Sequence, residues 1–148
     1  ADEVTSPMHV ILRYELEQEL IAGRMEAKHI PEAWDAKMTV YLGLSTKDNM
    51  KDGPMQDVHW PSGAFGYFPS YTLGALLAAQ QAAAIHRAHP SMNDDLRRGD
   101  VTALNEWRRQ NIWSKASTLS TPDLITAATG EPLTARHFIA HVQERYGT

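Results

Sequence analysis

Residues 53–71 read GPMQDVHWPSGAFGYFPSY, from Gly53 to Tyr71, and they interrupt an otherwise helical pattern. Five of the chain's twelve aromatic residues (Trp60, Phe65, Tyr67, Phe68 and Tyr71) fall within twelve positions. Gly53, Gly63 and Gly66, with Pro54, Pro61 and Pro69, forbid a regular helix here. Proline lacks the amide donor, and glycine leaves the backbone loose. Connecting segments normally run wet over the surface, so an irregular segment this aromatic needs a reason. Two reasons are open. The rings can plug a gap in the core as a packed turn, or the segment can be a site. Gln56, Asp57, His59 and Tyr67 would give such a site an amide, a carboxylate, an imidazole and a phenol.

On both sides of the loop the apolar residues recur with helical period. Downstream, Tyr71 to about Ala88 predicts a helix capped by Ser70, with Leu73, Leu76, Leu77 and Ile85 as bulk. Its many alanines favour the helix and permit close neighbours. Upstream, Val4 to Ala22 predicts a helix with Ser6 as cap and Pro7 in the first turn. Met8, Ile11, Leu12, Leu16 and Leu20 line one face, Glu15, Glu17, Gln18 and Glu19 fill the other sides, and Gly23 is the stop. A second helix from about Pro31 to Gly43 sets Trp34, Met38, Tyr41 and Leu42 on one stripe. Past residue 90 come a polar connector with a short helical turn and a helix over about 101–115 that Asp100 can cap. A short helix from Thr121-Pro122 to Gly130 follows, and then a last one after Thr134. No strand pattern of useful length occurs, so the fold class is mainly α.

Composition narrows the functions. The chain has 148 residues, 43% of them apolar and 22% charged, which is ordinary for a soluble globular domain. The net charge of −4 argues against a nucleic-acid partner, whose binding surface would be basic and clustered. With no cysteine there are no disulfides or thiolate metal sites, which fits a cytoplasmic protein. The charge-free run from Val58 to Ile85 has a helical part of about fifteen residues containing Gln80 and Gln81. That is short of the roughly twenty apolar residues a membrane span needs.

The segment Gly53-Pro54-Met55-Gln56-Asp57-Val58-His59-Trp60 resembles the G-x-x-Q-D-x-H-W motif of the M32 metallocarboxypeptidases, the thermostable carboxypeptidase family. Phe65-Gly66-Tyr67-Phe68-Pro69 looks like the family's continuation, and Ala1-Asp2 like the last two residues of its I-R-x-x-A-D motif. The resemblance runs the whole length of the chain but covers only the last third or so of such an enzyme. It implies that residues 1–148 are one helical segment, the C-terminal part of a larger, zincin-type catalytic domain. The family's His-Glu-x-x-His zinc motif would lie upstream, as would the arginine of I-R-x-x-A-D that grips a substrate carboxylate. The implied reaction is release of single C-terminal amino acids from peptides. The implied cofactor is zinc, with no ligands in this chain, and a homodimer is the implied assembly.

Peptide hydrolysis at a metal needs donors aimed at the oxyanion that develops, and aromatic walls that exclude water. His59 and Tyr67 are the candidate catalytic donors on this reading. Gln56, Asp57 and Trp60 are substrate-binding or site-shaping residues. His137 and His141 stand four apart, a spacing that lets two imidazoles share a zinc ion, but Phe138 occupies the position where a zincin carries its glutamate base. Surface histidines are the expected reading there. The chain by itself is expected to be catalytically silent. A reading from another class is a non-catalytic helical interaction module that grips a partner with the aromatic 53–71 loop.

Overall fold

A computed structural model describes residues 2–147, which form seven α-helices and two short 3-10 turns. The helices are α1 (Ser6–Ile21), α2 (Ile30–Leu42), α3 (Pro69–Ala88), α4 (Met92–Arg97), α5 (Thr102–Asn111), α6 (Thr121–Thr129) and α7 (Arg136–Tyr146). Among the described residues there is no strand, and no helix is long and apolar enough to cross a membrane. Ala1, read above as part of I-R-x-x-A-D, lies outside the described residues.

The chain divides into two compact units, Ala1–Leu73 and Gly74–Thr148, with the division inside α3. In the first unit α1 and α2 pack through Leu12, Leu16, Trp34 and Met38, and Met25, Tyr41, Leu42 and Trp60 close over this cluster. Lys37 and Tyr41 of α2 both donate to Glu15 of α1, at 2.5 and 2.6 Å. These hydrogen bonds, Lys37's first, hold the Glu15 carboxyl below its ordinary pKa. Gly43 ends α2 in the left-handed region that glycine adopts freely.

In the second unit Ala84, Ile85, Met92 and Trp107 form the core, joined by Leu104, Ile112 and Ala128. Gln80, whose only expected role was to count against a membrane span, is 1% exposed. Its amide nitrogen donates to Thr129 Oγ1 at 2.8 Å and to the carbonyls of Glu131 and Pro132 at 3.1 Å. Its oxygen accepts from Thr134 N at 3.0 Å, so one side chain fixes the turn between α6 and α7.

Several local expectations are corrected. Thr5, not Ser6, precedes α1, because Asp2 Oδ1 takes the amides of Val4 and Thr5 at 3.1 and 2.8 Å and sets the entry one residue earlier. The α3 helix begins at Pro69 rather than after Ser70, and Leu73 is 48% exposed. The helix expected to reach Lys115 ends at Asn111, where Ile112 leaves helical φ and a 3-10 turn follows. Glu17, expected on a solvent side of α1, is buried. That last correction bears directly on the loop.

Candidate functional site

The loop is built against a polar stripe on α1. Arg13 and Glu17 stand one turn apart on the helix and are only 6% and 5% exposed. Arg13 Nε donates to Asp57 Oδ2 at 2.6 Å, its Nη1 donates to the His9 carbonyl at 2.8 Å, and its guanidinium lies 4.6 Å from the Trp34 ring centroid. Glu17 accepts the Trp60 indole N–H through Oε2 at 2.9 Å and the Gly66 amide through Oε1. Gly66 has φ +76°, a conformation side chains other than glycine's disfavour, and it delivers that amide.

Inside the loop, Gln56 Nε2 donates to the carbonyls of Asp52 and Gly53 at 2.9 and 3.0 Å, pinning the turn from which the motif starts. A Cβ on Gly53 would sit 2.6 Å from Asn49 O, so glycine is required there by close backbone approach. Gln56 and Trp60 thus donate to the protein itself, and Asp57 commits Oδ2 to Arg13.

His59 packs against Phe68 at a tilt, ring centroids 4.5 Å apart, and Phe68 is 3% exposed. The aromatic run thus splits. Phe68 plugs the core, while Phe65, Tyr67 and Tyr71 remain about half exposed. His59 Nε2 lies 3.0 Å from Tyr71 Oη, at the start of α3. Its Nδ1 lies 3.9 Å from Asp57 Oδ1, and among the described residues this buried nitrogen has no hydrogen-bond partner. Tyr67 sits 5.7 Å from the His59 ring and packs edge-on to Tyr71 at 5.4 Å.

This arrangement can hold and move a proton. With hydrogen on Nε2, His59 donates to Tyr71 Oη and leaves the phenol hydrogen free to point outward. With hydrogen on Nδ1, Tyr71 donates to Nε2, and the buried Nδ1–H faces the Asp57 carboxylate. One imidazole thus couples a part-buried acid to a half-exposed phenol. An apolar cleft of about 310 Å³ opens beside the motif between Ile30, Met50, Met55, Trp60 and Pro61. Asp57 reaches its wall, whereas His59 and Tyr67 do not line it.

Among the described residues no group of three or more His, Asp or Glu side chains is placed to hold a metal ion. His137 Nε2 instead lies 2.7 Å from Glu131 Oε1, and Arg136 donates to the same carboxylate at 2.9 and 2.7 Å. These partners, His137 first, hold the Glu131 carboxyl below its ordinary range.

A model of the Carboxypeptidase Taq (M32) metallopeptidase family matches residues 1–146. The chain belongs to the M32 metallopeptidase family. It is 40% identical over 146 residues to thermostable carboxypeptidase 1 of Thermus thermophilus, covering 99% of this chain and 28% of that protein. The protein of the same name from Pyrococcus furiosus is 34% identical, with 99% and 29% covered. Metallocarboxypeptidase 1 of Trypanosoma cruzi superposes with a TM-score of 0.95 at 43% identity, covering 100% of this chain and 31% of that one. The M32 carboxypeptidase of Deinococcus radiodurans gives 0.93 at 38% identity, with 99% and 30% covered. The M32 chain thus shares their helical fold and spans under a third of their length.

Sequence reasoning missed Arg13, Glu17 and the pairing of His59 with Tyr71. The first two were legible in one respect: they are four apart, as Leu12 and Leu16 are, and lie one position round the helix from that apolar row.

Proposed function

We propose that this M32 chain is the C-terminal part of a zinc-dependent metallocarboxypeptidase that releases single C-terminal amino acids from peptides, and that residues 53–71 form one wall of its cleft. The family match over residues 1–146 carries this reading. On this proposal residues 1–148 are a single helical segment of a larger catalytic domain. Because the described residues do not fit a metal, the ion would be held by the remainder of the enzyme. The segment alone would be inactive. A cytoplasmic location and a homodimer belong to the same proposal.

In the complete enzyme His59 and the phenol it touches, Tyr71, are the pair best placed to serve an oxyanion, the half-exposed phenol donating outward while His59 Nε2–H donates to its oxygen. Tyr67, whose ring packs against both, lines the same wall with its half-exposed phenol. Phe65 and Tyr67 would narrow water access at the reacting carbonyl. Asp57, held by Arg13, would orient the imidazole through Nδ1 as the wall closes on substrate. Donors of this kind act on charge present only in the transition state. His59→Ala in the complete enzyme should therefore lower kcat about 100- to 1000-fold, roughly 2.7–4 kcal/mol, with KM little changed. A kcat within a few-fold of the parent, at an unchanged melting temperature, would remove the loop from the chemistry. The exposed rings would then be left to the partner-gripping reading.

A further inference from the structure

On α1, the positions of Arg13 and Glu17 point inward beside Leu12, Leu16 and Trp34. An apolar side chain at either position would suit stability as well or better, since taking a charge out of water is expensive even when it is paired. Glu17 has the harder case. Its partners are an indole N–H and a backbone amide rather than a cation. A buried carboxylate held only by neutral donors gives little stability for the desolvation it suffers, but it gives direction.

The direction is visible in where the contacts land. Arg13 takes Asp57, and Glu17 takes Trp60 and Gly66. Asp57 and Trp60 bracket His59 in the chain, and Gly66 immediately precedes Tyr67. The floor beneath His59 is fixed from the same helix: Phe68 lies under the imidazole, and the Arg13 guanidinium is 5.7 Å from the Phe68 ring. Every anchor thus lies within two residues of His59 or next to Tyr67, and none is itself a proposed donor.

We infer that Arg13 and Glu17 are positioning residues, a buried charged clamp on α1 that fixes the backbone on either side of His59 and before Tyr67. Only the catalytic consequence of this inference rests on the function proposed above. The clamp itself is a statement about the loop.

The chemistry of Glu17 permits a sharp test. Glu17→Gln keeps size and shape but turns one acceptor oxygen into an NH2 group, so either the Trp60 indole or the Gly66 amide must face a donor. In the complete enzyme, backbone hydrogen exchange across residues 58–68 should quicken roughly 10- to 100-fold, as expected for loss of one hydrogen bond to a charged group. Exchange in α5 and α6 should not change. The conservative rescue is Trp60→Phe, which removes the indole donor and leaves Gly66 as the single claimant on the remaining oxygen. In that background Glu17→Gln should change exchange by less than about threefold.

Quickened exchange together with this rescue supports the clamp. Unchanged exchange in Glu17→Gln, or an equal effect in both backgrounds, overturns it. Steady-state kinetics on the same variants separates the two proposals. A fall in kcat that tracks the loosened loop, with KM little changed, joins the clamp to catalysis. A loosened loop with full kcat upholds the clamp and defeats the oxyanion role of His59.

Discussion

Each unit of this chain buries polar side chains from a helix to hold an irregular segment, but the two do so with different chemistry. In the second unit the neutral amide of Gln80 fixes the turn between α6 and α7, and every polar atom of that amide is used on the turn's own hydroxyl, carbonyls and amide. In the first unit two charged groups, Arg13 and Glu17, hold the 53–71 loop. There the segment keeps groups in reserve: His59 Nδ1 has no hydrogen-bond partner among the described residues, and Tyr67 and Tyr71 stay about half exposed. A saturated polar cluster rigidifies a fold, whereas a clamped segment with unspent donors is equipped to bind something else. That difference distinguishes a structural turn from a site when both look equally irregular in sequence.

The largest effect expected from this contrast is on stability, in the second unit. Gln80→Leu fills the same space but strips the partners from Thr134 N and the Pro132 carbonyl, and leaves the Glu131 carbonyl with Thr129 Oγ1 alone. Unsatisfied buried groups cost about 1–3 kcal/mol each, so the total should be roughly 3 kcal/mol or more. A thermal melt of the complete enzyme should show it, while kcat per folded molecule stays at the parent value. If kcat falls as it does for His59 variants, the two segments are not different in kind.

A smaller effect sharpens the electrostatic side. Burial first, and then the Arg13 guanidinium, hold the His9 imidazole below its ordinary pKa, against weaker opposing pulls from Asp57 and Asp2. A group with a depressed folded pKa stabilises the fold fully above its unfolded value. That contribution is lost as pH falls from about 6.5 through the folded value, since the unfolded chain takes up the proton first. His9→Gln should therefore flatten the decline in melting temperature between about pH 7 and pH 5. An unchanged slope would show that the polar stripe on α1 is more solvated than its geometry indicates.

Much of the fold is legible in the sequence because it rests on period. Trp34 and Met38 recur with helical spacing and are buried, and Gly43 and Gly130 stop their helices in the left-handed region. The motif and its continuation likewise identify the family without any coordinates. The illegible parts are those where a polar side chain acts as core. Glu17 reads as solvent-facing and Gln80 only as a polar interruption of an apolar run, because single-sequence patterns class residues by polarity, and only tertiary partners show that their hydrogen bonds are made inside. The pairing of His59 with Tyr71 was hidden for a related reason. Eleven residues lie between them, most of them irregular backbone, and no periodic rule predicts which of two nearby tyrosines such a loop returns to the imidazole.

The choice between those tyrosines is the most direct test of the central claim, that the 53–71 loop supplies oxyanion donors through His59 and the phenol it holds. Tyr71→Phe and Tyr67→Phe each delete one oxygen and keep the ring, so packing is nearly unchanged in both. Steady-state kinetics of the two variants in the complete enzyme should give a loss of about 100-fold or more in kcat for Tyr71→Phe with KM little altered. The loss for Tyr67→Phe should be smaller. Parent-like kcat in Tyr71→Phe would contradict the claim.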